Sequence, residues 1–450
     1  MSAIRIFLDT PIPREAFVKN IIGKAQVLMP AVMSVDAKVH SVKKFYFLEY
    51  FYVLLKSVQN YSSEQKIFEQ FLTLKQNYQL GLSKYKRLTG DDPASPKKMG
   101  KYKYTFYQVL AEAEEYHLVE KRSFEIVLTD LGKQALNEFE KKGSVEFNQF
   151  LFKLMERKNS AFRYILDVCY EANPEKSGLL IFPIYSANRL GIERSSIKTS
   201  GNLRSYFHKL KIQLEKDILK HLNQNKNLDE KNNELVEQLE NADLLSKDSS
   251  IFDPQKYDVI LKRVRDFWLK FFLQDLYNYK FSLNSFDIWA YRGKEIGVLH
   301  ITEFYPDPNF SGRIVYPLSV IKESVKSRNF KELFSYSDHR HLYIHQPSWD
   351  DEENREEFAK ALHQAYLDVR HVARSYFVNL ASVRERVCYI MKIPEYLFDQ
   401  FLERAYYERL KIRISLEVDK LPEETDAIYL KRTPVMVDGK YRNIIAIDLA

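Results

Sequence analysis

Apolar side chains recur at three- and four-residue spacing over residues 12–29, 41–59 and 63–79, with Phe45, Tyr52 and Leu55 on one face, which predicts three amphipathic helices. Gly90-Asp91-Asp92-Pro93-Ala94-Ser95-Pro96 then reads as a loop by composition. A further helix is expected over 103–116, with Phe106, Val109, Leu110 and Ala113 on one side. Two short strands follow, 117–120 and 124–128, separated by Lys121-Arg122-Ser123. Thr129 is placed to cap a helix Asp130–Glu140 whose Leu131 and Leu136 turn inward, and helix resumes over 145–172.

Past that point the period changes several times. Ser186–Ile192 reads as a short helix closed by Gly191, and a polar connector over 193–201 leads into a helix from Asn202 with Leu203, Tyr206, Phe207 and Leu210 inside. Residues 212–246 form helix but are polar, and their heptad slips between Leu222 and Leu228, so a linker helix or helical hairpin is expected rather than a long coiled coil. An amphipathic helix over 254–280 carries Phe267, Trp268, Phe271 and Phe272. Residues 286–291 and 296–302 read as strands around an Arg292-Gly293-Lys294-Glu295 hairpin turn, with further strands at 312–316 and 342–345. Ser348 and Asp351 suggest a capping box opening a helix over 350–378, helices at 382–392 and 394–408 follow, and strands return to the end around an Asp438-Gly439 turn.

The expected class is α+β, predominantly helical: a helical first half, and a second half with an antiparallel sheet and packed helices. Five units follow from the pattern: 1–96 helical with a basic loop, 97–145 a helix, hairpin and helix, 146–211 helical, 212–250 a polar helical linker, and 251–450 α+β.

Charge sharpens this. The whole chain carries a net +7, which is mild for 450 residues, yet residues 1–100 alone hold 15 basic against 8 acidic side chains. A localised excess is the electrostatic footprint of a surface that meets a polyanion. Its densest part, Lys84 to Lys103, runs straight into the 103–116 helix, and Tyr85, Tyr102, Tyr104 and Tyr107 interleave with it; of these Tyr107 is best suited to core packing.

The run Leu118-Val119, then Ile126-Val127-Leu128-Thr129-Asp130-Leu131-Gly132-Lys133, resembles the ending of winged-helix DNA-binding domains. That resemblance covers about 40 residues. It implies that the helix before the hairpin enters the major groove while basic hairpin residues touch phosphate. It makes 97–145 a winged-helix-like module in a half that carries winged helix-turn-helix modules, and by position it points to Lys101, Lys103, Tyr104 and Gln108 on the helix and to Lys121 and Arg122 on the wing, with Lys97 and Lys98 adding contacts that position the DNA backbone. Glu112, Glu114 and Glu115 lie at the far end of that helix and would repel DNA if they faced it, so only its first two turns can dock. The second candidate, over 185–211, offers Arg194, Lys198, Arg204 and Lys209.

Catalytic signatures are scarce. The chain has no phosphate-binding glycine loop, no Gly-x-Ser-x-Gly elbow and no His-Glu-x-x-His. Metal ligation has two candidate sources: His339, His341 and His345, which alternate on one face of an extended segment, and Asp287 with Glu303 on successive strands. The residue two beyond Glu303 is Tyr305 where a nuclease core needs lysine, so the histidines read as half-exposed strand residues and no cofactor is expected. Two distant cysteines, Cys169 and Cys388, suit a reducing compartment, and no apolar run approaches a membrane span, which together predict a cytoplasmic protein. The expected function is a non-enzymatic DNA-binding accessory subunit of a prokaryotic DNA-targeting system, in restriction, phage or plasmid defence, or a mobile element. Its partners would be duplex DNA and another protein subunit. The alternatives are a divergent metal-dependent nuclease, and an interaction subunit that uses the winged helix as a scaffold.

Overall fold

The computed structural model describes residues 45, 48–77, 96–141, 145–158, 162, 165–166, 180–183, 192–216, 227–276, 283–302, 312–317, 320–321, 330–336, 340–408, 411–419 and 435–449. The expected helix 12–29, the Gly90–Ser95 loop, the 186–191 helix, Cys169, Glu303 and His339 lie outside them.

The chain opens with helix α1 (Glu49–Asn60), a short extended link, helix α2 (Glu64–Asn77) and helix α3 (Pro96–Glu115). Helix α3 starts seven residues before the expected position because Pro96 occupies its first position, where a missing N–H costs nothing and φ is already helical. Tyr102, Phe106, Val109, Leu110 and Ala113 form its buried face. Strands β1 (Val119–Arg122) and β2 (Glu125–Leu128) make a two-residue hairpin, with Arg122 paired to Glu125. Helix α4 (Asp130–Glu140) begins as expected: the Thr129 hydroxyl accepts from the Gly132 N–H at 3.0 Å. Gly132 is required here. A Cβ on it would lie 1.9 Å from the Leu118 carbonyl oxygen, so only glycine lets the first turn of α4 abut that backbone.

Next come helix α5 (Val145–Lys158), strand β3 (Leu180–Pro183), a 3-10 turn Arg194–Ser196, and helices α6 (Ser200–Leu214), α7 (Leu228–Asn241) and α8 (Tyr257–Phe271), the last running into a π-helical turn Phe272–Leu276. Helix α6 is opened by a full capping box between Thr199 and Asn202. Helices α6 and α7 pack as a hairpin, with Leu203, Leu210, Leu235 and Leu239 buried.

The expected hairpin over 286–302 is instead helix α9 (Leu283–Glu295) followed by strand β4 (Leu299–Thr302). Phe286, Trp289 and Ala290 share one helical face, but Ile288, Arg292 and Lys294 are buried too, so the segment is enclosed nearly all round and shows no clean period. The helix stops where Gly297 takes φ +74°, with Val298 N–H bonding Gly293 O at 2.9 Å and Gly297 N–H bonding Lys294 O at 3.1 Å.

Strands β5 (Gly312–Pro317), β6 (Val320–Ile321), β7 (Phe330–Tyr336) and β8 (Arg340–His345) complete two three-stranded antiparallel sheets, ordered β3-β5-β4 and β6-β8-β7. Helix α10 (Glu352–Ala373) is capped by Asp351 alone, whose carboxylate accepts from the Glu353 N–H at 3.0 Å; Ser348 is not the cap. Strand β9 (Val378–Asn379), helices α11 (Leu380–Met391) and α12 (Glu395–Tyr407), and strands β10 (Ile412–Glu417), β11 (Val435–Val437), β12 (Lys440–Arg442) and β13 (Ile444–Leu449) follow. The last sheet is ordered β10-β13-β9, and β11 turns into β12 through Asp438 and Gly439, both at positive φ as a primed hairpin turn requires.

The fold is therefore mostly helical with small antiparallel sheets. Its apolar core does not break at residue 250. One buried cluster runs from Phe45 to Ile301 and takes in Ile344 and Tyr389, while a second is built from residues between Trp349 and Ile447. Strand β3 pairs with β5 across the expected boundary.

Two buried polar contacts tie distant parts together. Arg292 on α9 grips Glu112 on α3 with both prongs, at 2.5 and 2.9 Å, and also donates to the Phe45 carbonyl at 3.2 Å. Lys294 meets Glu395 at 2.8 Å, Arg384 approaches Glu395 at 3.4 Å, and Arg384 reaches Asp399 at 3.3 Å, all where the two clusters face each other. Burial pushes the Glu395 carboxyl up, but Arg384 and Lys294 outweigh it and hold it at about 2.

Candidate nucleic-acid interface

The exposed side of α3 is set by its buried one. With Tyr102, Phe106, Val109 and Ala113 facing α1 and α2, Lys103, Tyr104 and Tyr107 must point out, and Tyr104 and Tyr107 are 48% and 41% exposed. Tyr102, not Tyr107, is the tyrosine that fills the core. Gln108 is half-buried beside this stripe. Lys97, Lys98 and Lys101 lie on the first turns of the same helix, and residues 96–108 contain no acidic side chain. Glu112, which would repel DNA if it faced it, is turned inward onto Arg292.

The hairpin joins this surface. Ser62 O accepts from the Ile126 N–H at 2.9 Å, and Ser63 bridges Glu125, so the link between α1 and α2 lies as a third strand along β2. Glu64, at the start of α2, then receives the Tyr107 hydroxyl at 2.8 Å and the Lys121 ammonium at 3.2 Å. The Tyr107 hydroxyl, with Lys121 and Lys103 near it, holds the Glu64 carboxyl below its usual range. Helix stripe and hairpin thus share one face. Arg122 is exposed on that hairpin and leans on Glu120 at 2.9 Å. At the tip, Ser123 takes φ +53° and Phe124 is 93% exposed.

The second candidate is only partly outward. Arg204 is spent internally: it pairs with Glu240 and donates to the Ser246 carbonyl at 2.8 Å, which fastens α6 to α7 and its trailing turn. Lys198 and Lys209 are exposed, and Arg194 sits in the 3-10 turn.

The candidate metal ligands are not brought together. Asp287 is on helix α9 rather than a strand. His341 lies on β8, and His345 is buried with its Nδ1 2.9 Å from the Met391 carbonyl oxygen, to which it donates. Burial lowers His345 to about 4, so it is neutral near pH 7. Among the described residues no group of three His, Cys, Asp or Glu side chains could hold a metal ion, and no helix is long and apolar enough to cross a membrane.

Sequence reasoning missed the Ser62–Ser63 strand, the role of Glu64, and Phe124. The last carried a signal: a two-residue hairpin turn favours small or polar residues, and Phe124 is neither. No protein-family model matches the chain, and no curated protein or solved structure matches it either.

Proposed function

We propose that residues 48–140 form a winged-helix module that binds duplex DNA, with α3 presented to the major groove and the β1–β2 hairpin to the backbone beside it. The order helix, extended link, helix, helix, hairpin, helix supports this reading. The observation that carries it is the convergence on Glu64 of Tyr107 from the helix and Lys121 from the hairpin, which gives both elements a common docking face. Lys97, Lys98, Lys101, Lys103, Lys121 and Arg122 would contact phosphates, and Tyr104 and Gln108 sugar or base edges. Lys198 and Lys209 would extend the contact at a second site. Arg204 is not part of it, because Glu240 already holds its guanidinium. The whole chain is read as a DNA-binding accessory subunit of a DNA-targeting system.

The test is duplex binding by fluorescence anisotropy at two salt concentrations, with Lys101→Glu and Lys103→Glu combined. Each lost phosphate contact lowers the log–log salt slope by about 0.9. A wild-type protein with salt-independent or absent binding sinks the proposal.

A further inference from the structure

Phe124 is the most exposed large apolar residue among the described ones, at 93%, and it stands at the tip of the hairpin on the proposed DNA-facing surface. It gives the fold nothing: a side chain in water buries no area. Local backbone preference does not call for it either, because the positive φ of the turn falls on Ser123, leaving Phe124 as the second turn residue. The hairpin that carries it is held at Glu125 and Lys121 to the link and first turn of α2, while Arg122 pairs within its own strand. Arg122 is tied to Glu120 at 2.9 Å, the Ser62 hydroxyl donates to Glu125 at 3.2 Å, and Lys121 is held by Glu64 at 3.2 Å. The hairpin therefore carries a bare aromatic ring at its tip, directly after a strand that bears two cations, Lys121 and Arg122, on the side of the helix that bears Lys103 and Tyr104.

We propose that Phe124 is a base-stacking residue: when the module sits on DNA, the ring inserts against the π-face of a base at the position where the hairpin meets the duplex. This rests on the DNA-binding reading. The cations near the tip favour a base over an apolar protein pocket, since a base comes with phosphates that can replace Glu64 and Glu120 as their partners, while such a pocket would have to desolvate both ion pairs. The stacked face can come from two sources: a base step wedged open within an intact duplex, or a base already unpaired at a gap or a single-strand junction.

The experiment uses the full chain with three oligonucleotides carrying 2-aminopurine: an intact duplex, the same duplex with a one-nucleotide gap, and a single strand. Phe124→Ala folds as the wild type does, because the ring is outside the core. Binding by the wild type is expected to change 2-aminopurine fluorescence, and Phe124→Ala to lose that change together with about tenfold in affinity. Phe124→Trp is expected to restore both. A signal in the intact duplex marks a wedge, and one confined to the gapped or single-stranded probe marks capture of an unpaired base. If Phe124→Ala binds DNA and changes fluorescence as the wild type does, the stacking role is wrong while the module reading stands; loss of a protein partner in that variant would then assign the ring to protein docking. If the wild type binds none of the probes, both fall.

Discussion

Arg292 and Glu112, 180 residues apart, form a two-pronged ion pair in which neither side chain is more than 4% exposed. The guanidinium also lies 4.4 Å from the Phe45 ring centroid and 4.6 Å from that of Trp289. Geometry of this kind offsets the desolvation of both charges only while both are present. Arg292→Ala is expected to cost about 3–5 kcal/mol in urea denaturation. The double variant Arg292→Met with Glu112→Leu should recover most of that loss. A double variant as unstable as the single one would show that the pair is not the cause.

Gly132→Ala tests the junction between hairpin and helix. The added methyl meets the Leu118 carbonyl, which also accepts from the Thr129 N–H at 3.2 Å, so the backbone itself has to move. A loss of about 1–3 kcal/mol is expected, read as a lower thermal midpoint. A midpoint equal to the wild type refutes the close approach.

Glu64 competes with phosphate for Lys121. Glu64→Gln removes the competing charge, and duplex affinity is expected to rise by up to about fivefold, the scale of one exposed ion pair. The salt slope should steepen as Lys121 gains a phosphate. Weaker binding by this variant would mean that Glu64 organises the surface rather than restrains it.

Acid sensitivity follows from the buried histidines. His345 is lowered from 6.5 to about 4, and His300 is pushed well below its usual value by burial and then by Lys294. A base whose folded pKa is depressed stabilises the fold above the unfolded pKa, because below it the unfolded chain takes up the proton first. For His345 that amounts to about 3 kcal/mol, lost as pH falls from about 6.5 to 4. Glu395, held at about 2, adds its own loss only at pH below 4.5. Urea midpoints between pH 7 and 5 should therefore fall, and His345→Gln should flatten the fall while leaving the part due to His300. An unchanged slope in that variant would remove the argument.

What the sequence made legible was local. The hairpin and the Thr129 cap follow from short motifs whose partners lie within a few residues; the cap stands as expected, and the hairpin forms with its turn at Ser123-Phe124, so that Lys121 and Arg122, expected between the strands, belong to the first of them. Residues 286–295 misled because Ile288, Arg292 and Lys294 are buried along with Phe286, Trp289 and Ala290, so neither the strand nor the helix period is printed on the chain. Glu112 and Arg204 were read by charge and local position, whereas their partners, Arg292 and Glu240, lie on elements dozens of positions away, and Asp287 was read on a strand that is a helix. The third strand at Ser62–Ser63 consists of one bridge and one hydrogen bond, too little to leave a pattern.

The contact between Lys294 and Glu395 has a consequence for the order in which the protein is made. Lys294 leaves the ribosome a hundred residues before its carboxylate partner, and Arg384 precedes it as well. Until helix α12 has been synthesised, both cations must stay solvated, so the first cluster cannot close over α9 in its final form. Fragments that stop between residues 302 and 395 would carry an orphan ammonium at their surface-to-core edge, and fragments that stop before residue 292 would leave the buried Glu112 carboxylate without its guanidinium, so neither cut divides the chain without stranding a charge.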